Sequence, residues 1–379
     1  RQNDLGVVKG REYVGYTWLK SAEGEARVTV ALSAANERTV FECGASDYVR
    51  FPFRFTANDT TDKASLSISV ENASCLVGTV SLMPADNVLG MRADTLALLK
   101  ELDSPVYRWP GGNFVSGYDW RDGIGDRDRR PPRQNPAWTG VEHNDFGLDA
   151  FIIFCRLIDT EPLVVVNTGL GQVDNAVAEL QYANGAADTP MGKLRAENGH
   201  AEPFNVKWWS VGTEMYGGWQ LGHMPLEEYV KKHNRVVDAM RAVDPTVEPI
   251  AVGSVGDWSR QMLTTCADHM SLISEHLYWQ DRDDLVAHVA QLPRRIREVA
   301  DAHRGYRRKL DSLRGKNIRI AMDEWNYWYG PNEYGELGVR YFLQDALGIA
   351  AGLHEFFRNS DIYFMANYAQ TVNVIGCIK

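Results

Sequence analysis

The chain has 379 residues, of which 44% are hydrophobic and 24% charged, a composition typical of a globular protein with a large core. Its 50 acidic residues outnumber its 40 lysines and arginines, so the net charge is −10. This charge argues against nucleic acid or an anionic membrane as the partner and suits a neutral substrate. No stretch approaches the roughly 20 apolar residues of a membrane-spanning helix. We therefore expect a soluble protein, either cytoplasmic or secreted with its signal outside this chain.

Metal and cofactor motifs are missing from the sequence. The five cysteines are scattered without a CxxC pair, and no HExxH motif occurs among the nine histidines. We therefore predict neither a metal nor a cofactor. Eleven tryptophans are a high count, and flat indoles serve either as core residues or as platforms on which sugar rings stack.

Residues 1–85 are predicted to form a β-sandwich-like module. Val28–Leu32 and Ser65–Val70 alternate apolar and polar residues, as half-buried antiparallel strands do, and polar turn clusters separate such runs. This module either binds carbohydrate or packs against the rest of the chain, and packing is the simpler role.

From residue 86 to residue 379, short apolar β-runs alternate with helical stretches. The last two predicted helices span 284–313 and 338–357. Seven strands are predicted, at 104–108, 163–166, 206–211, 249–253, 272–274, 318–322 and 362–365. Alternating strands and helices predict a parallel sheet with right-handed crossovers. A (β/α)8 TIM barrel fits this length best, with one strand unaccounted for. A doubly wound sheet is the alternative, but it normally carries a glycine-rich phosphate turn after its first strand.

Two of the predicted strands each end in a glutamate, Glu214 and Glu324. In a barrel, the residues at the C-terminal ends of the strands converge on one pocket. The same prediction brings polar and aromatic residues to that pocket, namely Asn113, Asn167, His276, Tyr278 and Gln370. Cleavage of an acetal needs one acid to protonate the leaving oxygen and a second to stabilise or trap the cation-like centre. If the carboxyl groups lie about 5–5.5 Å apart, the reaction retains configuration. Asp323 is expected to point away from Glu324 and to pair with an arginine.

Several motifs together resemble glycoside hydrolase family 51, the α-L-arabinofuranosidases. The resemblance spans roughly residues 85–379. Its motifs are YRWPGGNFVSGYDWRDGIG at 107–125, VGTEM at 211–215 with WQLG at 219–222, SEHLY at 274–278, DEWNYWY at 323–329 and NYAQTVN at 367–373.

The resemblance implies a retaining double displacement on a (β/α)8 barrel without a metal. Glu214 would be the general acid/base and Glu324 the nucleophile. Further residues would contact or wall in the sugar: Asn113, Thr213, Trp219, His276, Tyr278, Trp328 and Gln370. Thr213 stands where the family has an asparagine, so a hydroxyl replaces an amide at this position. The family's C-terminal β-sandwich has no counterpart in this chain, and members are often homo-oligomers.

The leading hypothesis is a glycoside hydrolase that releases terminal α-L-arabinofuranosyl residues from arabinoxylan, arabinan or their oligosaccharides. An endo-β-1,4-glucanase or xylanase on the same barrel is the alternative, and it requires an open cleft. A sugar-binding protein without turnover is the third reading.

Overall fold

The computed structural model describes residues 1–378, which form two compact units that divide between Leu102 and Asp103. The first unit contains seven strands and one helix. They are β1 Gln2–Val7, β2 Glu12–Glu23, β3 Ala26–Leu32, β4 Arg38–Cys43, β5 Val49–Thr56, β6 Thr61–Glu71, β7 Ser74–Pro84 and α1 Ala93–Leu102.

The strands of the first unit make two antiparallel sheets, β1-β6-β3-β4 and β5-β2-β7. Alternate apolar side chains from both sheets share one core, with Val30 and Leu66 from one sheet and Tyr13, Phe53 and Phe55 from the other. This confirms the N-terminal β-sandwich module. The boundary at residue 85 stays a prediction, and α1 groups with the first unit.

The second unit alternates strands and helices along the chain. Its strands are β8 Val106–Trp109, β9 Arg133–Gln134, β10 Val141–Glu142, β11 Glu161–Val166, β12 Trp208–Val211, β13 Glu248–Ala251, β14 Leu272–Trp279, β15 Arg319–Tyr327 and β16 Tyr363–Tyr368. Its helices are α2 Gly112–Val115, α3 Leu148–Leu157, α4 Val173–Asn184, α5 Pro190–Glu197, α6 Leu226–Val243, α7 Asp257–Thr265, α8 Leu285–Lys309 and α9 Leu343–Arg358.

Seven strands of the second unit form one parallel sheet in the order β16-β15-β14-β13-β12-β11-β8, and β9 and β10 form a separate hairpin. The order follows the chain without a reversal, which excludes the doubly wound alternative. The outer strands β8 and β16 contact each other, so the sheet curls into a nearly closed barrel. The predicted TIM-barrel class is confirmed, and Leu163, Val165, Ile250 and Leu272 fill its interior.

The residues before Glu324 depart from regular strand geometry. Ala321 pairs with Ser274 and Glu324 with His276, so three residues of β15 advance along the strand as far as two residues of β14. The pairing of β15 with β16 shifts in the same stretch. This extra residue is a β-bulge, and it turns two successive side chains toward the barrel interior. The expectation that Asp323 points away from Glu324 is therefore wrong, because the strand does not alternate there.

Candidate active site

The C-terminal end of β8 presents Arg108 and a glycine pair. The Arg108 side chain is almost fully buried. A Cβ on Gly111 would lie only 2.6 Å from Nη1 of Arg108, so a side chain at this position would displace the guanidinium. Gly112 has a φ of +59°, a conformation that glycine adopts without strain, and its N–H donates to Oε1 of Glu324 at 3.3 Å. The glycines of the WPGGN segment thus serve the site directly.

A sharp turn follows β12 and separates two neighbouring side chains. Gly212 has a φ of +92° and Glu214 a φ of +47°, which is a costly left-handed conformation for a residue other than glycine. Because of this turn, Thr213 is buried in the barrel while the Glu214 side chain is 16% exposed. Strained residues of this kind cluster at functional sites, and Glu214 fits that pattern.

On β14, successive side chains alternate between two sides of the sheet. Glu275 accepts hydrogen bonds from Ser259 and from the α8 residue His303, at 2.7 and 2.8 Å. His276 and Tyr278 lie on the other side. There His276 contacts Glu214, and Tyr278 contacts Glu324. The period of two in a strand thus places one carboxylate in a structural network and leaves its neighbours for the site.

Glu324 is surrounded by positive charge and hydrogen-bond donors. Nη1 of Arg108 donates to Oε1 at 2.8 Å, and the phenol of Tyr278 donates to Oε2 at 2.9 Å. Burial acts to raise the pKa of Glu324, but His276 and Arg108 outweigh burial and lower the pKa to about 2. Burial together with Glu324 raises the pKa of Tyr278 well above its usual value, so its phenol stays a donor. Glu324 is therefore ionised at neutral pH.

His276 connects the acids of the site. Its Nδ1 lies 2.8 Å from Oε1 of Glu214 and 3.6 Å from Oε2 of Glu324, and its Nε2 lies 3.0 Å from Oδ1 of Asp323. Burial acts to lower the pKa of His276, but Glu324 and Asp323 outweigh it and raise the pKa well above its usual value. A protonated ring donates from both nitrogens, so His276 bridges carboxylates as a cation.

Glu214 and Glu324 meet at the mouth of this cluster. Their facing oxygens and a ring nitrogen of His276 all lie within 4.8 Å of one another. Oε2 of Glu214 also accepts from the indole N–H of Trp219 at 2.7 Å. The separation is close to the spacing of about 5–5.5 Å that retaining glycosidases use. The predicted lack of a metal stays a prediction.

The other predicted sugar contacts fall into two groups. Nδ2 of Asn113 donates to the carbonyl of Trp219 at 2.8 Å, and its Oδ1 accepts from the N–H of Leu221 at 2.7 Å, so Asn113 anchors the loop after Glu214. The second group consists of Trp219, Trp328 and Gln370. Trp219 is 64% exposed, Trp328 packs edge-on against Tyr278, and Gln370 is exposed just beyond β16. Their sugar contacts stay predictions.

Sequence reasoning missed Arg108 as a site residue. Nε of Arg108 lies 3.3 Å from Oδ2 of Asp323, so the predicted pairing of Asp323 with an arginine is present. The signal available in the sequence was a basic residue in a strand otherwise apolar or aromatic, directly before Trp109. A buried guanidinium requires acids as partners, and two adjacent acids stood at the end of β15.

A contact between two exposed loops at the rim was also missed. The backbone N–H and hydroxyl of Thr139 donate to Oε2 of Glu336, at 2.9 and 2.6 Å. Thr139 lies in the loop between β9 and β10, and Glu336 lies between β15 and α9. Beside this contact, Trp138 packs edge-on against Trp328. The two loops therefore meet above Tyr278.

A parallel barrel with two close carboxylates at the C-terminal ends of its strands is the arrangement that defines one large class of glycoside hydrolases. The model of the alpha-L-arabinofuranosidase 1 domain matches residues 98–298, and that of the alpha-L-arabinofuranosidase C-terminal domain matches residues 323–379. The chain belongs to the α-L-arabinofuranosidase family, glycoside hydrolase family 51.

Sequence and structure comparisons with known arabinofuranosidases support this family assignment. Alpha-L-arabinofuranosidase C of Emericella nidulans is 37% identical over 319 residues, covering 77% of this chain and 62% of the relative. The arabinose complex of the Thermotoga maritima α-L-arabinofuranosidase is 41% identical with a TM-score of 0.70, covering 76% and 59% of the two chains. The family 51 enzyme of Thermotoga petrophila RKU-1 is 39% identical with a TM-score of 0.71, covering 78% and 61%.

The chain thus spans about three fifths of the length of these relatives. Within residues 1–378, no helix has both the length and the apolar character needed to cross a membrane.

Proposed function

We propose that the chain is a retaining α-L-arabinofuranosidase that removes terminal arabinofuranosyl residues from arabinoxylan, arabinan or their oligosaccharides. The carrying observation is the pair of Glu214 and Glu324, whose carboxylate oxygens lie within 4.8 Å but whose surroundings differ. Glu324 is held ionised by Arg108 and His276, as a nucleophile must be. Glu214 lies nearer the solvent, where a leaving group departs. Family membership supports the choice of sugar.

The first step of the proposed reaction forms a covalent intermediate. A carboxylate oxygen of Glu324 attacks the anomeric carbon, and the bond from that carbon to the leaving oxygen breaks as Glu214 gives its proton to that oxygen. Arg108 and Tyr278 bond to Glu324, which fixes its orientation for attack. The products are the free leaving group, a glycosyl ester on Glu324 and an ionised Glu214.

The second step regenerates the enzyme. Ionised Glu214 removes a proton from a water molecule, whose oxygen attacks the anomeric carbon as the ester bond to Glu324 breaks. The contacts of Glu214 with Trp219 and His276 hold its carboxyl group in one orientation for both proton transfers. Two inversions leave the configuration of arabinose unchanged.

Loop contacts at the rim support removal of terminal residues over cleavage within a chain. The Thr139–Glu336 contact joins two loops beside the site, whereas an endo-β-1,4-glucanase or xylanase requires a cleft open at both ends. The family match likewise supports the arabinofuranosidase and gives no support to that alternative. Carbohydrate is therefore the proposed partner.

Aryl glycosides test this proposal. We expect p-nitrophenyl α-L-arabinofuranoside to be hydrolysed, whereas the aryl β-xyloside and β-glucoside are not. Glu324→Gln should lose activity by roughly 10⁴-fold or more. Glu214→Ala should stall at the glycosyl ester, and azide, which needs no base, should restore its turnover. Full activity of Glu324→Gln, or turnover of only the β-glycosides, would refute the proposal.

A further inference from the structure

Thr213 directs its hydroxyl toward the protein. Thr213 is only 1% exposed, and its Oγ1 accepts a hydrogen bond from Nη2 of Arg108 at 2.7 Å. The same guanidinium donates through Nη1 to Glu324 at 2.8 Å, and its Nε lies 3.3 Å from Asp323. The guanidinium thus hydrogen-bonds to Thr213 and Glu324 and forms an ion pair with Asp323.

We propose that Thr213 is a positioning residue, which holds the guanidinium of Arg108 against the nucleophile Glu324 and does not contact the sugar. This inference rests on the proposed function, because it takes Glu324 as the nucleophile. It differs from the expectation, drawn from the family resemblance, that Thr213 contacts the substrate. Its basis is the burial of Thr213 and the direction of its one polar group.

The packing around Arg108 makes the hydroxyl necessary. The Arg108 side chain is 7% exposed. Without the Thr213 hydroxyl, Nη2 of this buried charged group would lose a hydrogen-bond acceptor. A Cβ on Gly111 would lie 2.6 Å from Nη1, so the backbone of Gly111 also limits where the guanidinium can lie. A β-branched side chain has few χ1 rotamers, so the Thr213 hydroxyl points in a well-defined direction.

Thr213 acts on Glu324 through Arg108 alone among the groups described around that carboxylate. Those charged or titratable groups come from four segments of the barrel: Arg108 on β8, Glu214 and Tyr216 after β12, His276 and Tyr278 on β14, and Asp323 on β15. Within residues 1–378, the hydroxyl of Thr213 hydrogen-bonds only to Arg108 among them. Its removal should therefore weaken the hold on Arg108 and leave the other five groups in place.

Two variants separate positioning from sugar binding. Thr213→Val keeps the shape and removes the hydroxyl, and Thr213→Ser keeps the hydroxyl. With the aryl arabinofuranoside, we expect Thr213→Val to lower kcat about tenfold and to change KM less than about twofold. The acidic limb of its kcat/KM profile should move up by about half a pH unit, because Glu324 loses part of its cationic stabilisation. Thr213→Ser should stay within about threefold of the wild type in kcat.

A second readout does not depend on activity. The lowered pKa of Glu324 contributes stability above its unfolded value near 4.5, and this contribution is lost as the pH falls toward about 2. In Thr213→Val the loss of thermal stability on acidification should be smaller and should level off at a higher pH than in the wild type, and in Thr213→Ser it should match the wild type. Circular dichroism checks that the variants fold. If Thr213→Val does not fold, Thr213→Ala takes its place.

Three results would overturn the inference. The first is a Thr213→Val variant whose KM rises while kcat and both pH profiles stay unchanged. The second is equal impairment of the valine and serine variants. The third is that neither variant has an effect. If the wild-type chain does not hydrolyse the arabinofuranoside, the proposed function fails, and the pH dependence of thermal stability still decides the role of Thr213.

Discussion

Two glutamates of the same barrel differ in their immediate surroundings. Glu324 accepts hydrogen bonds from Arg108, Tyr278 and a backbone N–H. Glu214 is hydrogen-bonded to a ring nitrogen of His276 and to the exposed indole of Trp219. Both positions could be predicted from the sequence, since each ends an apolar run. Arg108 was signalled only as a basic residue in an apolar strand, and its contact with Glu324 was not, because that contact depends on a bulge that directs Asp323 and Glu324 to the same side.

A histidine variant tests the charge of the site. His276→Gln removes a cation whose pKa is raised in the folded protein, so His276 contributes stability that is fully present below its unfolded pKa near 6.5 and is lost as the pH rises through the higher folded value. We expect the variant to melt at a lower temperature than the wild type at pH 6. The difference should narrow as the pH increases. A difference that is constant between pH 5 and pH 10, measured by thermal unfolding, would contradict a charged His276.

The helices and strands differed in how well they could be predicted from the sequence. The helix predicted over 284–313 contains α8, whereas α5 and α7 were not predicted, because only a few of their residues are buried. The helix predicted from residue 338 begins at Leu343, because residues 338–342 belong to the rim loop. The bulge in β15 was not predictable, since one extra residue leaves no pattern in an apolar strand.

The buried network behind β14 is predicted to stabilise the fold without taking part in the reaction. Glu275 and His303 are both buried, so Glu275→Ala should lower the free energy of unfolding by about 3 kcal/mol. The aryl arabinofuranoside activity of the folded variant should remain within a few fold of the wild type. Glu298→Ala on the surface of α8, which breaks the exposed pair with Arg295, is the control and should cost less than about 0.5 kcal/mol.

Denaturant unfolding and activity assays measure both quantities. Equal stability losses in the two variants would show that burial does not set the value of the Glu275 network. Loss of activity in a fully folded Glu275→Ala variant would place Glu275 in the catalytic machinery.

At the scale of the whole molecule, the barrel followed from the sequence because strands and helices alternate over the second unit, and a parallel sheet has few ways to connect them. The convergence of seven strand ends then brought Glu214, His276, Tyr278 and Glu324 together. The rim was not predictable in this way. Thr139 and Glu336 are far apart in sequence and lie in loops without periodic pattern.

The rim contact is predicted to favour short, terminal substrates. Glu336→Ala removes the acceptor of both Thr139 hydrogen bonds, and it should raise KM for arabino-oligosaccharides about threefold or more while an aryl arabinofuranoside is less affected. Glu333→Ala is the matched control, since Glu333 lies in the same loop and pairs with Arg340 at 3.6 Å. Initial-rate kinetics on both substrates provide the comparison. Identical behaviour of the two variants would mean that the contact does not shape the substrate site.

The most direct measurement for the carboxylate pair is the anomeric configuration of the product when the reaction with p-nitrophenyl α-L-arabinofuranoside is run in the presence of methanol. If Glu324 forms a glycosyl ester that Glu214 then helps to resolve, proton NMR of the transfer product should show methyl α-L-arabinofuranoside. Formation of the β-anomer would show a single displacement and would contradict the roles assigned to the two glutamates.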